Sequence, residues 1–264
     1  DFSGFPLSRE RRITDISRCP ILVVRFPFGF SMSNQPKNIA VVGASSDIAE
    51  AFIRRIRIRY PNAVVHAFSR QGDRPIDYSQ EESIALAAEH ASRTGPLDGV
   101  FVANGILHDD RVAPEKSLGQ LSRDHFQHVF EINTVVPALV AKHFLPVLNR
   151  QHPAYFAVLS ARVGSISDNQ LGGWYAYRAS KAAMNMLIKT AAIEVARRNK
   201  QAIVVALDPG TVDSPLSRPF QRNVPSHKLF SPDLAADQLL NVLEHLTPAQ
   251  TGRFIGWDGE EILP

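Results

Sequence analysis

A single cysteine, Cys19, in 264 residues excludes an internal disulfide and leaves no thiolate cluster for a structural metal. No stretch approaches the roughly 18 uncharged apolar residues that a membrane-crossing helix needs, so no membrane partner is expected. A strong net charge is missing too: 29 basic against 26 acidic side chains leave +3. Residues 1–31 hold +2 of that, with Arg9, Arg11, Arg12, Arg18 and Arg25 set against Asp1, Glu10 and Asp15. The remaining +1 is too little for a nucleic-acid-binding face. The nine histidines are scattered, and the one close pair, His125 and His128 in "HFQH", has no third ligand nearby in sequence. That pair reads as a solvated helix face rather than a metal site. Low-complexity tracts, internal repeats and long linkers are all absent. What is present, 44% hydrophobic and 21% charged residues, is the composition of an ordinary soluble globular protein with ample length for a core.

Residues 1–31 mix proline, arginine and phenylalanine without helical or strand periodicity, and Met32 in "FSMSNQPKNIAVVG" reads as a natural initiator. Three readings of this segment stand: an over-long start, an organelle presequence, and a genuine additional segment. Arginine-bearing, acid-poor stretches can mimic presequences, but Glu10 and Asp15 interrupt this one and no amphipathic helix emerges. The over-long start is favoured. The expected organisation is an N-terminal extension over residues 1–36 outside the core, and one domain over residues 37–264.

From residue 38 onward, short apolar runs alternate with helical patterns. "NIAVVGAS", "AVVHAFSR", "LDGVFVANG", "AYFAVLSA", "QAIVVALDPG" and "GRFIGWDG" read as strands. Between them lie helical stretches, among them a long one over residues 122–148 broken only near its end by Pro146. The last helix opens on Ser231 and Pro232 in cap and first-turn positions. Apolar strands each followed by a helical crossover imply an α/β protein with a single doubly wound parallel sheet flanked by helices.

In such a sheet, ligands bind beyond the carboxyl ends of the strands, at the switch point. "VVGASSDIAEAF" lies there. Gly43 ends the first strand, and the following turn, Ser45, Ser46, Asp47 and Ile48, opens a helix whose free N–H groups can hold phosphate. Asp47 and Ala49 stand where the full dinucleotide pattern has further glycines, so a plain strand-to-helix turn is the competing reading. At the end of the second strand, "AFSRQG" offers Ser69 and Arg70 with no acid. An arginine there accommodates a 2′-phosphate where an acid would bind a ribose hydroxyl, which leans towards NADP(H), with NAD(H) as the lesser choice.

The stretch "GGWYAYRASKAAMNM" places Tyr177 four residues before Lys181, on one helix face. An ammonium beside a phenol favours the phenolate and lowers its pKa, making the tyrosine a proton carrier for an alcohol or carbonyl. Taken alone, so short a pattern is more often an ordinary helix surface.

Together these pieces resemble the short-chain dehydrogenase/reductase family. The resemblance rests on six motifs in order: Gly43-Ala44-Ser45-Ser46, "VANG" (Ala103, Asn104, Gly105), Asn133, "LSARVGS", "YAYRASK" and "LDPGTVDSP". More narrowly, "GILHD", "LSARVGSISDNQLGGWYAYRASKAAMNM" and "FIGWDGEEI" are similar to its C-factor-like branch. The match runs over about residues 37–264 and implies a Rossmann-type fold. It implies Tyr177 as general acid/base, and Lys181 bound to the nicotinamide ribose while lowering the tyrosine's pKa. Asn133, in a helix disturbed by Pro137, would hold a water joining Lys181 to solvent. Pro209, Gly210 and Val212 would support the nicotinamide, with Ser214 near its amide; Asn104 and Gly105 would pass along the adenosine ribose, and Asp77 would face the adenine. The family's carbonyl-polarising serine is the second of a pair, and the pair here reads Ser160-Ala161. Ser160, the expected catalytic serine, is one place early, Ser165 is a second candidate, and no serine at all is the third reading.

The expected activity is NADP(H)-dependent interconversion of a small or medium carbonyl compound and its alcohol, in a cytoplasmic homodimer or homotetramer. A catalytically weak NADP(H)-binding signalling or sensor protein is the alternative, and a methyltransferase on a similar sheet a remote third. The segment 214–230, with Pro215, Leu216, Phe220 and Leu229, reads as a partly apolar lid, and Trp174 as either pocket wall or core.

Overall fold

The computed structural model describes residues 36–72 and 74–264. The expectations for residues 1–35 and for Met32 lie outside the described residues. Eleven alternating elements make the frame: β1 (Asn38–Val42), α1 (Asp47–Arg59), β2 (Val64–Phe68), α2 (Glu81–Ser92), β3 (Gly99–Val102), a long broken helix, β4 (Ala154–Leu159), α5 (Tyr175–Val195), β5 (Ala202–Asp208), α6 (Pro232–His245) and β8 (Phe254–Gly256). Two further strands, β6 (Thr211–Val212) and β7 (Leu229–Phe230), pair with each other away from the main sheet.

The main sheet has the order β2-β1-β3-β4-β5-β8, and every neighbouring pair is parallel. Its central strands are buried along their whole length, which is why they read as continuous apolar runs rather than alternating ones. Side-chain alternation sends Val42, Val102, Phe156 and Val204 to one face, against α2 and α5. Val41, Phe101, Ala157 and Val205 go to the other, against α1 and α6. There Phe101 stacks on Phe52 of α1 with ring centroids 3.9 Å apart and both side chains fully buried. Arg54, Arg55 and Arg59 of α1 answer Asp233, Asp237 and Glu244 of α6 across the outer surface. Ser231 caps α6 as its position predicts, its Oγ accepting the Leu234 N–H at 3.2 Å.

The helix expected over residues 122–148 is not continuous. α3 (Arg123–Phe130) passes through a single π turn, Glu131–Val135, into α4 (Val136–Phe144). Pro137 explains the widening: it has no N–H to offer the carbonyl four residues back, that of Asn133. The disturbance expected at Pro137 is thus a π turn, and the break expected near Pro146 is present as well, where α4 gives way to a 3₁₀ turn, Leu145–Val147.

β1 hands the chain to β2 on one side and β3 lies on the other, so the switch point falls between the carboxyl ends of β1 and β3. Gly43 makes that junction tight. Its φ is +80°, and a Cβ there would stand 2.9 Å from the Ala103 carbonyl carbon and the Asn104 nitrogen. No helix among the described residues is long and apolar enough to cross a membrane. Truncating Phe101 to Ala should lower the unfolding free energy by about 3–5 kcal/mol in a denaturant titration, since the stacked ring leaves a cavity inside a two-sided core.

Candidate active site

Beyond the carboxyl ends of the strands opens a cleft of about 920 Å³. The turn after β1 forms one rim, with Ser45, Ser46, Asp47 and Ile48 facing the cleft. Ser46 is the N-cap of α1, its Oγ accepting the Ala49 N–H at 3.4 Å and donating to the Gly43 carbonyl at 3.2 Å. Asp47 takes helical backbone as the first residue of α1, where a carboxylate suits the positive end of the helix dipole. Ala103, Asn104 and Gly105, at the end of β3, line the middle. Pro209, Gly210, Val212 and Ser214, after β5, line the far wall.

At the floor stand Tyr177 and Lys181, both buried, at 8% and 3% exposure. They share one face of α5 as their spacing requires, with the ammonium 5.9 Å from the phenol ring centre. Lys181 Nζ, however, donates to the Leu159 carbonyl at the end of β4, at 3.0 Å. The expected lowering of the tyrosine's pKa does not occur in this arrangement. Burial pushes the Tyr177 phenol up, and the nearby Asp208 carboxylate pushes it further. Burial is stronger here than the pull of an ammonium committed elsewhere. The same burial brings Lys181 down to about 8. Asp208 is itself raised by burial while its Oδ1 accepts the Arg162 N–H at 3.1 Å.

Asn133 is fully buried in the π turn. Its amide brackets Ile106, accepting from the N–H at 2.7 Å and donating to the carbonyl at 2.9 Å, and it also donates to Ser180 Oγ at 3.1 Å. Its side chain thus ties α5 to the loop after β3. Ser160 borders the cleft, but its Oγ donates to Asn185 Oδ1 at 2.7 Å, one helical turn beyond Lys181. Ser165 is turned towards the chain's last residues, its Oγ donating to the Leu263 carbonyl at 2.5 Å and accepting the Asp168 N–H at 3.0 Å.

Ser69, Arg70 and Asp77 lie past the end of β2, outside the residues that line the cleft. Ser69 Oγ donates to the Gln71 carbonyl. Arg70 is exposed near Tyr78. Asp77 is exposed and its Oδ1 accepts from the Ser79 N–H and Oγ at 2.9 and 2.7 Å. Its neighbour Tyr78 reaches further in, where its hydroxyl accepts the Gly43 N–H at 3.1 Å. The sequence reading passed over Tyr78, although its place beside Asp77 was a signal.

Trp174 is wall rather than core. It lines the cleft, edge-on to Tyr177 at 6.3 Å and to Phe220 at 5.0 Å. His108 stands behind that wall, 5.6 Å from Phe220, with Nε2 3.2 Å from the carbonyls of both Pro215 and Leu216. The lid segment is thereby latched to the loop after β3, while the ladder of β6 with β7 joins its two ends. The "HFQH" histidines engage carboxylates instead of a shared ligand: His125 lies 3.4 Å from Glu115 and His128 2.8 Å from Asp109.

The cleft suits a dinucleotide on its own chemistry. Asn104 Oδ1 is buried with no hydrogen bond of ordinary length among the described residues, although the Tyr78 hydroxyl lies close enough to be influenced by it. A hydroxyl-rich turn precedes the N-terminus of α1, and Gly105 leaves open the space into which a Cβ would project, 3.3 Å from Lys181 Nζ.

Comparison with known proteins agrees. Residues 65–225 match the family described as short chain dehydrogenase, and the chain belongs to that family. It is 31% identical over 231 residues to a 1-hydroxy-2-glutathionyl-2-methyl-3-butene dehydrogenase of Rhodococcus sp. (strain AD45), spanning 84% of this chain and 96% of that protein. It is 32% identical over 169 residues to the C-signal protein of Myxococcus xanthus, spanning 64% of this chain and 93% of that one. Among solved structures, an NADPH-bound carbonyl reductase from chicken fatty liver shares the fold with a TM-score of 0.72 at 22% identity, over 86% of this chain and 99% of that one.

The depressed Lys181 sets a stability test. A shift from 10.5 to about 8 corresponds to roughly 3 kcal/mol spent on keeping the ammonium charged at neutral pH. Replacing Lys181 with Met removes that cost and forfeits a hydrogen bond of about 1 kcal/mol. The Lys181→Met protein should therefore unfold at higher denaturant at pH 7, by about 1–2 kcal/mol. Because folding binds fewer protons than the unfolded chain between the two pKa values, wild-type stability should rise from pH 8 towards 10, and this rise should vanish in the variant.

Proposed function

We propose that this protein is an NADP(H)-dependent reductase of a small or medium carbonyl compound, working in reverse as an alcohol dehydrogenase, with Tyr177 as general acid/base. The observation that carries the reading is the placement of Tyr177 and Lys181 on the floor of a cleft roofed by a partly apolar lid. A bound nicotinamide dinucleotide supplies the hydride. The chain's residues do the remainder. A phenol whose pKa is raised keeps its proton at neutral pH, so Tyr177 meets a substrate carbonyl as a donor and gives up that proton as charge develops on the oxygen. Lys181, fixed by the Leu159 carbonyl, would take the nicotinamide ribose, and Asn133 holds in place the loop and helix that flank it.

The turn Gly43, Ser45, Ser46, Asp47 and Ile48 would receive the pyrophosphate at the start of α1. Ala103, Asn104 and Gly105 would border the adenosine ribose. Pro209, Gly210, Val212 and Ser214 would flank the nicotinamide. Ser69 and Arg70 would meet the 2′-phosphate and Asp77 the adenine edge; the lack of an acid in "AFSRQG", at the end of β2, supports NADP(H) over NAD(H). The NADPH carried by the chicken-liver carbonyl reductase points the same way. The reading includes a cytoplasmic location and a homodimer or homotetramer seated along α4 and α5, where Met186, Leu187 and Ile193 are exposed.

A second reading is favoured by one observation: the hydroxyls of Ser160 and Ser165 are both engaged away from the tyrosine. A protein with one donor for the carbonyl could serve as an NADP(H)-binding sensor, and the likeness to the C-signal protein supports this. It predicts tight NADPH binding with no cofactor oxidation against a broad carbonyl panel.

Absorbance at 340 nm with such a panel decides between them. Under the reductase reading, Tyr177→Phe lowers kcat by about 10²–10⁴-fold and leaves NADPH affinity within a few fold. Wild-type turnover in that variant would defeat the assignment of Tyr177. Ser160→Ala should cost less than about tenfold, because the hydroxyl is already given to Asn185. A loss matching that of Tyr177→Phe would show Ser160 to be a second donor.

A further inference from the structure

Three successive residues ahead of α5 take the left-handed backbone: Gly172 at φ +63°, Gly173 at +64° and Trp174 at +52°. Among the described residues Trp174 is the one non-glycine with positive φ. A bulky side chain stays in that region only where its surroundings over-determine it. The surroundings are supplied by Glu115, sixty residues away in the loop after β3. Its carbonyl accepts the Trp174 N–H at 2.5 Å, and its two carboxylate oxygens each stand 3.3 Å from the Ala176 N–H. The residue is 2% exposed.

α5 begins without a side-chain cap of its own, because the residue in the N-cap position is Trp174. The N–H groups of a first helical turn need partners from outside the helix. Glu115 takes one of them from a distant segment, as a local Ser or Asp would ordinarily do. The residue next after Ala176 is Tyr177. The same clamp therefore fixes the helix start that carries the phenol and the turn that presents the Trp174 ring beside it.

We infer that Glu115 is a positioning residue for the reaction, setting where the Tyr177 hydroxyl and the Trp174 wall stand in the cleft. The inference rests on the reading of Tyr177 as general acid. Reach, not charge, is what the geometry requires: the carboxylate must extend to the Ala176 N–H. A purely structural partner of His125, 3.4 Å away, would need the charge instead.

Three variants separate these, measured with NADPH and whichever carbonyl compound the wild-type protein reduces. Glu115→Gln keeps an acceptor oxygen at full reach. Glu115→Asp keeps the charge but is one methylene short, and Glu115→Ala removes both. The expected result is a kcat at least tenfold down in Glu115→Asp and Glu115→Ala, with NADPH affinity within about twofold of wild type, and recovery of most of that loss in Glu115→Gln. Should Glu115→Ala fail to fold, the Gln and Asp pair still decides by its order. Wild-type kcat in Glu115→Asp, or a Glu115→Gln protein as impaired as Glu115→Asp, overturns the proposal. Tyr177→Phe is run alongside: if it too retains turnover, the acid assignment has failed, whereas an inactive Tyr177→Phe beside a fully active Glu115→Asp sinks the positioning role alone.

Discussion

One hydrogen bond organises the site: the donation from Lys181 Nζ to the Leu159 carbonyl. It carries a charge into a nearly dry interior and fastens α5 to the last residue of β4. Because β4 lies mid-sheet between β3 and β5, that tie fixes the helix to the part of the molecule least able to move. An ammonium so placed is costly, and a lone backbone oxygen does not repay the lost hydration. A long helix face could have carried an apolar residue there at lower cost. On the proposed reading, chemistry rather than packing accounts for a lysine at this position.

The tyrosine beside it behaves differently from a phenol paired with a cation. Burial and Asp208 both act to keep its proton. The surrounding groups are tied into the fold. Asn133 spans α5 and the loop after β3, Ser160 is held by Asn185, and the Ser165 hydroxyl joins the loop after β4 to Leu263. Rigidity of this kind is what the role proposed for Tyr177 as proton donor would need, since productive geometry tolerates little displacement.

Much of this was legible from the chain alone, and the reasons for the rest are physical. Uninterrupted apolar strands announced a sheet covered on both faces, and the Tyr177–Lys181 spacing survives as one helix face. Ser231 and Pro232 marked the start of α6 because caps are local chemistry. Local rules could not see the clamp from Glu115 to Ala176, whose partners are sixty-one residues apart and whose loop has no periodicity. Spacing also reports which groups are near but not how dry their surroundings are, and burial pushes the Tyr177 phenol up. The long helix was expected to be disturbed at Pro137 and broken near Pro146; the first takes the form of a π turn just ahead of the proline, and the second of a 3₁₀ turn, Leu145–Val147. Asp77 illustrates the converse: a residue singled out by motif that lies outside the cleft lining, its carboxylate satisfied two residues on by Ser79.

The short ladder of Thr211–Val212 with Leu229–Phe230 has an evolutionary corollary. Since both ends of the roof depart from one pair of two-residue strands, the stretch between them is topologically a cassette. Its length and lining can be exchanged without altering any strand of the main sheet, because none of that sheet's pairings passes through it. Diversification of what this scaffold accepts would then be written in residues 213–228, while the Tyr177–Lys181 floor beneath stays constant.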